Sequence, residues 1–172
     1  WGEAAALRVR DVNVLRNRIN IERNAVTVGS EVIIGTPKTH EVREVSVPVS
    51  VMRMLVPVMD GKGPDELLWP RRDGTPMKPP THGKWYYNAL DRCMDNYPDF
   101  PRVTPHGLRH VAAGLMISAG ANVKVVQRQL GHSSAAMTLD IYAELFDEDL
   151  EAVGSAVEGK ISNAVELSWK GA

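Results

Sequence analysis

Thr104-Pro105-His106-Gly107-Leu108-Arg109-His110, then Leu130-Gly131-His132-Ser133-Ser134, then Asp140-Ile141-Tyr142 mark out the stretch from which the architecture of this chain is read. Apolar residues between these landmarks recur at helical spacing. The spacing predicts a helix over 106–118, with Leu108, Val111, Ala112, Leu115 and Met116 on its apolar side and Gly120 at its end. A second helix is expected over 123–130, closed by Gly131, and a third over 134–145, carrying Tyr142. Working outward, residues 81–96 and 48–59 also read as helices. Ahead of them lie three Val/Ile-rich segments, 20–28, 31–35 and 44–47. They are expected as an antiparallel meander, joined at Gly29-Ser30 and across 38–43. Glu3 to Leu7 reads as a helix end, broken at Asp11-Val12-Asn13, and residues 149–167 as a tail helix loosened by Gly154 and Gly159. Strands followed by helices give an α+β fold, mostly helical, with a small three-stranded antiparallel sheet.

A length of 172 residues suits one domain with a full core. No apolar run approaches the roughly 20 residues a membrane-spanning helix needs. The segment at Trp1 has neither a charged lead nor an apolar signal stretch. The single cysteine, Cys93, cannot close an internal disulfide and fits a reducing, cytoplasmic setting. Net charge is −1, unpromising for a DNA binder, but it is unevenly spread. Residues 1–139 carry 18 Lys/Arg against 13 Asp/Glu, and residues 140–172 carry 2 against 8. Phosphates would repel that tail, so it is expected to face away from DNA or to meet protein. Its apolar residues Leu150, Val153, Val157, Ile161, Val165 and Trp169 form one stripe.

The polar residues are of a kind that serves phosphoryl transfer. A guanidinium fork matches two non-bridging phosphate oxygens. Imidazoles move protons near neutral pH, and a phenol with help from a base can attack phosphorus. His106 and Arg109 stand one helical turn apart and share a face. His110, beside Val111, reads as a buried structural histidine. At helical spacing Tyr142 could simply pack against Leu139 and Leu145.

The pattern of His-x-x-Arg, Leu-Gly-His and a downstream Tyr resembles the catalytic core of tyrosine recombinases, the phage-integrase family. The resemblance covers about residues 1–150. It implies that Tyr142 is the nucleophile, Arg109 the second catalytic arginine, His106 its acid/base partner, and His132 a hydrogen-bond donor to the scissile phosphate. It also implies that Lys38, in a hairpin before Arg43-Glu44-Val45-Ser46-Val47-Pro48, protonates the leaving 5′ oxygen. Thr39, Arg43, Lys124, Arg128 and Ser133 are the candidate DNA contacts. The family's first box, Gly-x-Arg-x-x-Glu, is matched only from Trp1-Gly2-Glu3 onward, so its arginine would precede Trp1. The chain thus reads as a catalytic domain over 1–149, lacking its opening helices, with a tail over 150–172. Alone, it is expected to be inactive.

The resemblance implies site-specific recombination of double-stranded DNA through a 3′-phosphotyrosine, with no metal or other cofactor. It implies a homotetramer on DNA, with tails passed between protomers, in the cytoplasm of a bacterial host. Three rivals are distinguishable. A type IB topoisomerase shares the chemistry but would relax DNA rather than join two sites. A non-catalytic DNA-binding regulatory module would form no covalent adduct. A metal hydrolase could use His106 and His110 at i, i+4, but no Glu follows His106 as a base.

Overall fold

Two apolar clusters organise the described residues. One is Leu7, Ile19, Ile21, Met52 and Leu68; the other is Ala113, Ile117, Val126, Leu130 and Tyr142. The computed structural model describes residues 1–29, 31–36, 42–81, 83–147, 154–155 and 157–162.

The first cluster is built from a short helix α1 (Gly2–Ala5), strands β1 (Val12–Asn13), β2 (Arg18–Ile21), β3 (Asn24–Val28), β4 (Glu31–Gly35) and β5 (Arg43–Ser46), and helix α2 (Val49–Met59). Ile19 and Ile21 alternate inward along β2, as a half-buried strand requires, and Met52 of α2 meets them. The three-stranded antiparallel sheet is β1-β2-β5, while β3 and β4 form a separate hairpin. The expected meander is therefore corrected. Residues 20–28 are not one strand, and β5 pairs with β2 instead of β4. The chain breaks at Glu22-Arg23, where the Arg23 guanidinium turns back to the buried Asp11 and also pairs with Glu22. The β3–β4 hairpin closes at Val28↔Glu31, and Gly29 takes the positive φ that a two-residue turn demands. This hairpin carries α1: a Cβ on Gly2 would lie 2.4 Å from the Ala25 carbonyl, so only glycine lets helix and strand approach.

The second half is helical: α3 (Trp85–Asn96), α4 (Gly107–Ser118), α5 (Val123–Leu130) and α6 (Ala135–Asp147). Helix α3 starts four residues later than its periodicity suggests, because Gly83 at φ +73° breaks the turn ahead of it. Its Tyr86 hydroxyl donates to the Val103 carbonyl at 2.8 Å, anchoring the segment that leads into α4. Asn122 caps α5, its Oδ1 accepting from Val125 N–H at 3.0 Å, and Ser134 Oγ accepts from Met137 N–H in the first turn of α6.

Helices α4, α5 and α6 pack on one another. The face of α4 that does so is not the expected one. Leu108, Val111, Ala112 and Leu115 are exposed, Leu115 by 66%, while Ala113 and Ile117 are buried with Met116 against them. Ala113 lets neighbouring helices come close where a larger side chain would hold them off.

Gln129 of α5 joins the two halves, its amide accepting from Ser46 N–H at 3.0 Å and donating to the Ser46 carbonyl. Beside this clamp an open, mainly apolar cleft of about 720 Å³ lies between Leu7, Ile19 and Val45 on one wall and Ala112, Leu115 and Met116 on the other. Of the tail, residues 157–162 are helical, with Val157 and Ile161 exposed. Leu150, Val153, Val165 and Trp169 lie outside the described residues. No described helix is long and apolar enough to cross a membrane.

Candidate active site

The site begins at the start of α4. Thr104 Oγ1 accepts from Gly107 N–H at 3.0 Å and the Thr104 carbonyl from Leu108 N–H at 3.1 Å, which starts the helix and fixes His106 at its end. His106 and Arg109, one turn apart, line a cleft of about 550 Å³ together with Trp1, Tyr87, Thr104 and Pro105. Arg109 Nη2 donates to the Leu130 carbonyl at 2.7 Å. That bond ties the arginine to the turn carrying His132.

The turn itself is held from several sides. Gly131 ends α5 at φ +70°, its N–H donating to Gln127 O at 2.9 Å. Its missing side chain matters twice. The conformation favours glycine, and a Cβ there would lie 2.5 Å from Arg43 Cζ. The Arg43 fork packs on Gly131 and is occupied by Glu3, with Nη1–Oε1 at 2.8 Å and Nη2–Oε2 at 2.6 Å. Arg43, a candidate DNA contact, is a half-buried brace between α1 and this turn.

His132 is buried, and its Nδ1 lies 2.9 Å from Thr138 Oγ1, itself fully buried. Its backbone carbonyl accepts from Gln127 Nε2 at 2.9 Å. Burial, with the charges of Arg109 and His110 nearby, pushes the His132 pKa below the ordinary imidazole value. The ring is therefore neutral at pH 7. A neutral ring can donate to an anion through Nε2 only if Nδ1 accepts, which the Thr138 hydroxyl is placed to satisfy.

Tyr142 is 4% exposed and sits in the second core cluster with Ala113, Ile117, Val126 and Leu130. Its ring stacks parallel to that of His132, with centroids 6.4 Å apart. Its hydroxyl lies 3.0 Å from His110 Nδ1. The reading of His110 as a buried structural histidine is thus corrected. The residue is exposed, and it holds the phenol of the candidate nucleophile. His106 completes the row, its ring meeting that of His110 edge-on at 5.2 Å. The signal for His110 lay in the stripe His106, His110, Ala113, Ile117, which is a single helical face once Ala113 and Ile117 are known to be core.

The structure therefore gathers His106, Arg109, His132 and Tyr142 around the α4 N-terminus and adds His110. Lys38 and Thr39 lie outside the described residues. Lys124 and Arg128 stand one turn apart on the exposed side of α5, and Ser133 is exposed beside His132. Among the described residues, no three of His, Cys, Asp and Glu cluster so as to hold a metal ion.

The chain belongs to the phage integrase family, whose sequence model matches residues 1–149. It is 34% identical over 117 residues to transposase B from transposon Tn554 of Staphylococcus aureus (strain N315), covering 63% of this chain and 18% of that protein. It is 23% identical over 157 residues to the ICEBs1 integrase of Bacillus subtilis (strain 168), covering 84% of this chain and 41% of the relative. The chain thus spans less than half the length of these curated relatives. Its fold is shared with the Tn1549 transposon integrase, solved in complex with transposon right end DNA. The TM-score is 0.72 at 23% identity, over 89% of this chain and 54% of that one.

Proposed function

We propose that residues 1–149 are the catalytic part of a tyrosine site-specific recombinase acting on double-stranded DNA. The observation that carries this reading is the convergence on Tyr142: His110 on its hydroxyl, His132 stacked on its ring, and Arg109 bonded to the turn that bears His132. Family membership supports the same reading.

In this reading the phosphodiester lies in the cleft of His106 and Arg109. The Arg109 fork neutralises non-bridging oxygens, and His132 donates to one of them from its neutral ring. His106, at the cleft wall, serves as acid/base partner. Tyr142 attacks phosphorus in line, giving a 3′-phosphotyrosine, while the 5′ oxygen leaves with a proton from Lys38. A 5′-OH of a second strand reverses the attack. The bond energy stays in the covalent link, so neither metal nor ATP is required. The protomers act as a homotetramer on two sites in the bacterial cytoplasm, and the acidic segment 150–172 serves as the exchanged tail.

The test uses the full-length product of the reading frame that contains these residues. A suicide substrate, nicked beside the scissile bond, should trap the protein on DNA. Tyr142→Phe should bind the same DNA and form no adduct. An adduct with Tyr142→Phe would refute the nucleophile.

A further inference from the structure

We propose that His110 is the base that takes the phenolic proton of Tyr142 during cleavage, an assignment that rests on the recombinase reading above. The Tyr142 hydroxyl and His110 Nδ1 lie 3.0 Å apart, within the reach a proton-abstracting group needs. The other imidazoles are placed for different work. His132 presents the flat of its ring to Tyr142, and its Nδ1 is engaged by Thr138. His106, the acid/base partner of the reading above, lies at the cleft wall with its ring edge-on to His110, placed to relay the proton that His110 takes up. Arg109 stays charged and cannot accept a proton. Because His110 is exposed while the tyrosine ring is buried, the imidazole is where a proton leaving this phenol reaches solvent.

The step balances as follows. As the Tyr142 Oη–P bond forms, the Oη–H proton passes to His110 Nδ1, leaving an imidazolium. The P–O5′ bond breaks, its electron pair goes to the 5′ oxygen, and that oxygen is protonated by Lys38. In the return step the attacking 5′-OH passes its proton back to Lys38, and the His110 imidazolium reprotonates Tyr142 as the P–Oη bond breaks. No other reactant is needed. The rings facing His110 are His106 from α4 and Tyr142 from α6; His132 of the turn lies close enough to interact with it, and Arg109 precedes it on α4.

The experiment measures single-turnover formation of the covalent adduct by the full-length product on a nicked suicide substrate, across pH. Two variants are compared with wild type, each checked for DNA binding. His110→Ala removes both hydrogen bond and base. His110→Asn offers an oxygen near the place of Nδ1, keeping the hydrogen bond while unable to take up a proton. Both should be slowed by about 10²- to 10⁴-fold. The fall in wild-type rate at acid pH, from protonation of His110, should vanish in His110→Asn. Installing 3,5-difluorotyrosine at position 142, a more acidic phenol, should restore most of the rate in either variant. A wild-type rate in His110→Asn overturns the assignment. So does a slowed rate that the acidic phenol does not rescue, since His110 would then only position the ring. If wild type itself forms no adduct while binding DNA, the recombinase reading fails and takes this step with it.

Discussion

Replacing Gly131 by Ala should damage the protein by an amount that depends on Arg43. Two terms add. At φ +70° a Cβ crowds the following carbonyl, at about 1–2 kcal/mol. The new methyl would also lie 2.5 Å from Arg43 Cζ and 2.8 Å from both Nε and Nη1, so the guanidinium must swing away. Arg43 is a flexible side chain, and moving it is cheap in itself. What is lost is the two-pronged pair with Glu3, at 2.8 and 2.6 Å, whose arginine is only 16% exposed. Charge-assisted hydrogen bonds of this kind contribute roughly 1.5–3 kcal/mol. Gly131→Ala should therefore cost about 2.5–5 kcal/mol, lowering the melting temperature by about 5–20 °C at 2–4 °C per kcal/mol for a chain of this size. In an Arg43→Ala background the obstacle and the pair are already gone. There Gly131→Ala should cost only the backbone term, about 1–2 kcal/mol. The assay is a double-mutant cycle by urea unfolding, and the expected coupling is about 1.5–3 kcal/mol. Additivity to within about 0.5 kcal/mol, the behaviour of unconnected sites, would refute the brace between Glu3, Arg43 and the His132 turn.

Three further outcomes follow from the same geometry. Thr138→Val leaves His132 Nδ1 buried without its partner, so it should destabilise by about 1–3 kcal/mol in urea unfolding and slow adduct formation through a misoriented ring. Because the His132 pKa is lower folded than its ordinary 6.5, the unfolded chain takes up the proton first as pH falls. Stability should thus be full above about pH 6.5 and decline below it, and His132→Gln should flatten that part of the melting profile. Lys38→Ala should slow cleavage of ordinary DNA but not of DNA with a 5′-bridging sulfur, a leaving group that needs no proton; an equal defect on both would exclude Lys38 as the acid.

What the chain discloses before it folds depends on how local each interaction is. The start of α4 and both ends of α5 fall within a residue of expectation, because their punctuation is local: Thr104, Asn122 and Gly131 satisfy backbone groups a few positions away. Register is not local. Nothing between residues 20 and 47 says that β5 must pair with β2, a choice made by Ile19 and Ile21 meeting Met52 and Leu68 far along the chain. The face of α4 is a harder case. Its apolar residues run around most of its circumference, so periodicity offers several stripes, and packing selects the one bearing the small Ala113. That selection decides the chemistry as well. The residue types of the site and their spacing single out His106, Arg109, His132 and Tyr142. The role of His110 exists only once the Ala113–Ile117 stripe turns inward and carries the imidazole to a hydroxyl 32 residues away. A histidine near the end of an inward stripe is not core by position alone. It stands where the buried face meets solvent, which is where a proton taken from a buried phenol has to go.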